Sequence, residues 1–235
     1  MIAGWHEQSD ADVPAHDEWL GPPELARLAE FRFVKRRAEW RLGRWTAKCA
    51  VAGYLGLPAT RETLRGFQIR PAPSGAPAVF SAGGPVAVRI SLSHRSGIAV
   101  CAVAPAWPPG GMLGCDIERV EPHSDLFLAD YFTLAEQSLV LGAPQGERNR
   151  LLALLWSAKE SLLKALHLGL RVDTRSVEVS LTPPAEARAG EWHPLRVHHA
   201  QSGSLDGWWR ESAGFVRTLV TAPLALFPAA ILMDG

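Results

Sequence analysis

The residues best suited to chemistry lie in two short runs, G-C-D-I-E at 114–118 and W-S-A-K-E-S-L-L-K at 156–164. The first reads as a strand end. Asp116 and Glu118 are two residues apart, so on an extended backbone both carboxylates point to one face. The second is built from strong helix formers and sets Trp156, Glu160 and Lys164 at i, i+4 and i+8 along one stripe. A helix laid across the strand end brings three carboxylates and one ammonium to a single point. Carboxylates crowded in this way repel unless a cation lies among them, and all-oxygen ligation suits a hard ion such as Mg²⁺. Mg²⁺ completes its shell with water and substrate phosphates, so Asp116, Glu118 and Glu160 are expected as metal ligands for phosphate chemistry. The chain has only four lysines among 24 basic residues, and two of them, Lys159 and Lys164, fall in this motif. A compact point charge at Lys164 suits a pyrophosphate contact.

The elements that must position these residues occur in two similar sets. Trp45-Thr46-Ala47-Lys48 is echoed by Trp156-Ser157-Ala158-Lys159, 111 residues later. Leu55-Gly56-Leu57 matches Leu168-Gly169-Leu170, which predicts a glycine cap at the end of each helix. Alternating apolar runs follow each helix and read as strands, at 88–92 and 97–104 in the first half and at 176–181 and 214–222 in the second. The stretch 106–111, A-W-P-P-G-G, reads as a linker. The expected architecture is α+β, with one subdomain over 1–106 and a second over 107–235. Where the second copy has Glu160 after its lysine, the first has Cys49, a poor ligand for Mg²⁺, so one metal site per chain is expected.

The pair of motifs resembles the 4′-phosphopantetheinyl transferases, in particular the larger surfactin-synthetase-activating type, whose signature is G-(V/I)-D-(V/I)-E followed some forty residues later by (F/W)-(S/C)-x-K-E-(S/A)-x-x-K. Gly114, Asp116, Ile117 and Glu118 fill the first, with Cys115 where an aliphatic residue is usual; Trp156, Ser157, Lys159, Glu160, Ser161 and Lys164 fill the second. The S-L-S-H run at 91–94 and the R-R-A-E-W-R-L-G-R stretch at 36–44 extend the likeness over most of the chain.

The resemblance implies two related subdomains arranged as a pseudo-dimer with one active site between them. It implies Mg²⁺-dependent transfer of 4′-phosphopantetheine from coenzyme A to a serine of an apo acyl or peptidyl carrier protein, with Mn²⁺ as a substitute metal and adenosine 3′,5′-bisphosphate as the leaving product. The pathway served is fatty-acid, polyketide or nonribosomal-peptide synthesis. By the same resemblance Glu136 is expected as the base acting on the incoming hydroxyl and Lys164 as its catalytic partner. His94 and Lys159 are expected at the coenzyme A phosphates, and Arg37 and Arg44 at its 3′-phosphate. The chain departs from the family at Gly75-Ala76-Pro77, where G-K-P is usual, and Arg70 is the expected substitute for the missing lysine. Two further readings remain: a Mg²⁺-dependent pyrophosphate hydrolase, and a catalytically silent carrier-binding module.

Composition narrows the class. The 235 residues are 47% hydrophobic, and 24 basic residues balance 24 acidic ones, which speaks against a nucleic-acid binder. Cys49, Cys101 and Cys115 lack the spacing of a zinc site or a disulfide framework. The N-terminus has neither the charged nor the apolar region of a secretion signal, and the apolar tract at 218–233 is interrupted by Pro223 and Pro228. A cytoplasmic monomer without membrane association is expected, with two halves supplying what a smaller relative gains by oligomerising.

Overall fold

A computed structural model describes residues 2–106, 108–181, 190–223 and 226–231; Trp107 of the expected linker lies outside the described residues. The chain divides into two compact units, Ile2–Gly110 completed from Pro228, and Gly111–Phe227. The architecture is mixed α+β.

In the first unit the order is β1 (Ile2–Ser9), α1 (Pro22–Ala29), α2 (Val34–Tyr54), α3 (Arg61–Gly66), β2 (Gln68–Pro71), β3 (Pro77–Ser81), β4 (Gly84–Pro85), β5 (Val88–Arg95) and β6 (Ile98–Pro105). The second unit contains β7 (Met112–Arg119), α4 (Asp125–Tyr131), α5 (Leu134–Gly142), α6 (Gln145–Ala165), β8 (Val177–Leu181), β9 (His193–His199), β10 (Gly203–Ser212) and β11 (Phe215–Ala222). A last strand, β12 (Phe227–Ala230), joins the first unit's main sheet, whose order is β12-β1-β6-β5. Strands β2, β3 and β4 form a small separate sheet, and the second unit's sheet runs β7-β11-β10-β9-β8. The four strands expected from alternation are present as β5, β6, β8 and β11.

Each long helix packs on a sheet through a small-residue or leucine face. On α2 the buried residues include Ala47, Cys49, Ala50 and Val51, set against Cys101 and Val103 of β6. On α6 they include Leu154, Leu155, Ala158 and Leu162, set against Val216 and Val220 of β11. Leu155 and Leu162 are fully buried, each contributing about 2 kcal/mol of apolar transfer.

The repeat is more regular in structure than in sequence. An offset of 111 residues carries the whole of α2, Val34–Tyr54, onto α6, Gln145–Ala165. Both helices end in the same paired hydrogen bonds, Leu57 N–H to Ala52 O and Gly56 N–H to Gly53 O in α2, Leu168 N–H to Leu163 O and His167 N–H to Lys164 O in α6. Gly56 takes the left-handed position in the first, at φ +68°, and His167 takes it in the second, at φ +56°. The expected cap at Gly169 is therefore corrected by two residues, and a side chain sits where glycine is favoured. Replacing His167 by Gly is expected to stabilise the chain by about 1 kcal/mol in thermal melts, because the Cβ penalty of that conformation disappears.

Candidate active site

The glycine of G-C-D-I-E lets helix and strand touch. A Cβ on Gly114 would lie 1.8 Å from Ser161 O and 2.7 Å from Ala165 N, so only a hydrogen there allows α6 to lie on β7. Hydroxyls fix the same helix to the neighbouring strand. Thr218 on β11, opposite Asp116 in register, bonds Ser157 Oγ at 2.9 Å and Ser161 Oγ at 2.7 Å, and donates to Ser157 O at 2.8 Å. The two serines of W-S-A-K-E-S thus clamp the helix, while the adjoining stripe faces the carboxylates. Gly114→Ala is expected to cost about 1–3 kcal/mol by overpacking, read from chemical denaturation, and to lower activity by lifting Glu160 and Lys164 off β7.

Across this contact Lys164 Nζ lies 2.7 Å from Asp116 Oδ1 and donates to Cys115 O at 3.2 Å. Burial alone would lower the Lys164 pKa, but Asp116, Cys115 and Glu160 together outweigh it and the net shift is upward. Glu160 is raised, first by burial and then by the nearby Asp116 charge. Its Oε1 is buried without a hydrogen-bond partner among the described residues. Asp116, Glu160 and Lys164 are thus brought together, with Glu118 half-buried two residues along β7. Among the described residues, however, no group of three or more His, Cys, Asp or Glu side chains is gathered to hold a metal. The expected three-carboxylate cluster is not preassembled: Lys164 already neutralises Asp116, and Asp116 and Glu160 repel each other. A buried, unbonded carboxylate oxygen beside a second carboxylate is nonetheless a donor set suited to a hard cation.

Glu136 and Lys159 have a different place from the one expected. Glu136 is 2% exposed and Lys159 0%, and their charged atoms are 2.8 Å apart. Glu136 also accepts from Thr133 N–H at 2.9 Å, closing a capping box on α5, and from Val179 N–H at 3.1 Å on β8. Lys159 donates to Thr174 O at 2.9 Å and to Val177 O at 2.5 Å. Burial lowers the lysine pKa and Glu136 opposes that shift. In this arrangement the pair ties α5, α6 and β8 together, and either group reaches substrate only if the ion pair opens. Lys159→Met is expected to cost about 3–5 kcal/mol, with Glu136→Gln added in the same chain recovering most of that loss, as measured by denaturant unfolding.

The first unit carries the same device with its chemistry removed. Glu24 on α1 accepts from Gly21 N–H at 3.2 Å and from Ile69 N–H at 3.4 Å, and it pairs with the fully buried Lys48 of α2. On β1, Gly4, His6 and Gln8 stand as Gly114, Asp116 and Glu118 do on β7. A Cβ on Gly4 would likewise come within 2.9 Å of Tyr54 at the end of α2. Burial lowers the His6 pKa and pushes the Cys49 thiol up to about 12, with Gln8 beside both. Neutral groups therefore stand where the second unit has three carboxylates. Cys49 was legible as the odd residue of the echo. His6 and Gln8 were missed, although the shared G-x-x-x-[QE] spacing was there to find.

Of the expected coenzyme A contacts, Arg37, Arg44, Arg70 and His94 lie in the first unit, on different features. Arg44 and Arg70, with Glu24, Arg27, Trp40 and Pro77, line a cavity of about 550 Å³. His94 is exposed in the wall of another of about 500 Å³, with Lys35 and Arg95. Arg37 lies in neither lining and is 3.8 Å from Asp17, which is also bonded at 2.7 Å by Arg41. In the second unit Trp156 packs with Phe127, Tyr131 and Phe132, an aromatic stripe that runs from buried Phe132 through half-buried Phe127 and Trp156 to exposed Tyr131.

The segment holding β7, α6 and β10, residues 112–216, matches the model of the 4′-phosphopantetheinyl transferase superfamily. The chain is 28% identical over 183 residues to the 4′-phosphopantetheinyl transferase HetI of Nostoc sp. (strain PCC 7120), covering 76% of this chain and 73% of that protein. Among solved structures it is similar to the holo-[acyl-carrier-protein] synthase of Thermotoga maritima, with TM-score 0.34 and 21% identity over 47% of this chain and 61% of that one. It is also similar to the Helicobacter pylori synthase in complex with coenzyme A, with TM-score 0.36 and 17% identity over 44% and 99%. No described helix is long and apolar enough to cross a membrane.

Proposed function

We propose that this chain transfers the 4′-phosphopantetheine arm of coenzyme A to a serine of an apo acyl or peptidyl carrier protein. The observation that carries the reading is the meeting of Asp116, Glu160 and Lys164 where α6 lies on Gly114, within the segment matched by the family model. The relationship to HetI supports the same activity.

In the reaction the serine oxygen bonds to the phosphorus of the pantetheine phosphate. The pyrophosphate P–O bond breaks and its electron pair leaves on adenosine 3′,5′-bisphosphate. Lys164, held protonated by Asp116, stands ready to balance negative charge on the pyrophosphate. Asp116, Glu118 and Glu160 are the proposed holders of Mg²⁺, a fit supported by the buried, unbonded oxygen of Glu160. When bound, Mg²⁺ supplies positive charge to the oxygens on which the leaving group's charge develops. With Glu136 held in its ion pair with Lys159, the hydroxyl proton passes to water beside the cluster, since carboxylates that hold the metal are not free to take it. Arg44 and Arg70, in the cavity wall, are the proposed contacts for anionic groups of coenzyme A, and His94 is a further phosphate contact.

The test is chromatographic measurement of adenosine 3′,5′-bisphosphate with and without an apo carrier. Release only when carrier is present supports transfer. Release in its absence, with coenzyme A consumed by water, establishes the hydrolase instead.

A further inference from the structure

The cavity holding Arg44 and Arg70 also has a carboxylate, Glu24, in its wall, a poor neighbour for an anion unless its charge is spent elsewhere. It is. Glu24 is 5% exposed, and Oε2 takes the Lys48 ammonium and the Gly21 N–H, while Oε1 takes the Ile69 N–H. Lys48 is itself fixed, donating to Trp19 O at 3.1 Å and lying 5.6 Å from the Trp19 ring centre. Glu24 Oε1 lies 3.8 Å from Arg44 Nε, a loose ion pair too long for a hydrogen bond. Arg44 Nε is buried without a hydrogen-bond partner among the described residues, and its guanidinium lies over Trp40 at 5.1 Å. A guanidinium stacked on an aromatic face in a cavity wall is preorganised for an anionic ligand.

We propose that Lys48 is a positioning residue of this cavity: by holding Glu24 it keeps that carboxylate from closing a hydrogen-bonded pair with Arg44 and leaves the rest of the guanidinium to an anionic group of coenzyme A. The inference rests on the transferase reading for the identity of the ligand. Without Lys48, Arg44 is left as the cation nearest Glu24, and the tightened pair between them competes with the incoming anion. The matching pair in the second unit, Lys159 with Glu136, lines neither of the two cavities described above, so the first unit's version has this second use alone.

Steady-state carrier loading, with coenzyme A and carrier varied separately, decides the matter. Lys48→Met is expected to raise KM for coenzyme A about tenfold, with kcat and KM for the carrier within about twofold. Adding Glu24→Gln to that variant removes the competing charge and is expected to return KM for coenzyme A to the wild-type value. An unchanged KM in Lys48→Met, or a raised KM that Glu24→Gln does not reverse, overturns the inference. Should Lys48→Met fail to fold, the double variant decides alone: wild-type KM supports sequestration, and a raised KM means the pair itself serves the ligand. Arg44→Gln separates the two levels of argument. If it leaves KM for coenzyme A unchanged, the cavity assignment and this inference both fall; if it raises KM while Lys48→Met does not, only this inference falls.

Discussion

Glu160→Gln is expected to lower carrier loading on the order of 10²–10³-fold while the protein remains folded. The substitution keeps side-chain size and helix propensity and removes one charge. That charge is costly in the metal-free protein, because burial and Asp116 both raise the Glu160 pKa. The thermal midpoint in chelator should therefore hold or rise, which separates a ligand from a scaffold residue. Lys159→Met gives the opposite pattern, a loss of stability, because it strands Glu136 in the interior. A Glu160→Gln protein loading carrier at the wild-type rate in low Mg²⁺ would place the metal elsewhere.

Removing divalent metal is expected to abolish turnover, and Mg²⁺ or Mn²⁺ to restore it. The same cluster links metal to pH. The folded-state pKa of Glu160 lies above its ordinary 4.5, so between those values the folded chain binds the extra proton. Its contribution to stability is thus present below 4.5 and lost as pH rises through the raised folded value. In chelator the melting midpoint should fall across that interval, and Mg²⁺ should recover it most at the alkaline end. Full turnover in excess chelator would exclude the metal-dependent route.

Much of this was legible because period and spacing report directly on geometry. The two-residue step from Asp116 to Glu118, the four-residue step from Glu160 to Lys164 and the 111-residue echo each describe a face or a copy, and the α+β architecture followed from them. The partners of buried charges were not legible. Glu136 in Y-F-T-L-A-E reads as a surface helix residue or, by family likeness, as a base. Only the fold shows it capping α5 while receiving Lys159. The helix end at His167 was misplaced because glycine marks the left-handed position in most sequences, and here hydrogen bonds at Leu163 and Lys164 hold a histidine in it. The need for Gly114 was equally hidden: its reason is an oxygen of Ser161, forty-seven positions away in the chain.

The most direct test is the intact mass of an apo carrier after incubation with coenzyme A and Mg²⁺. Wild-type protein is expected to add one phosphopantetheine arm, with no addition when the carrier's acceptor serine is alanine and strongly slowed addition by Glu160→Gln. A carrier that keeps its apo mass with every acceptor tried, while coenzyme A is cleaved, would contradict the transferase account.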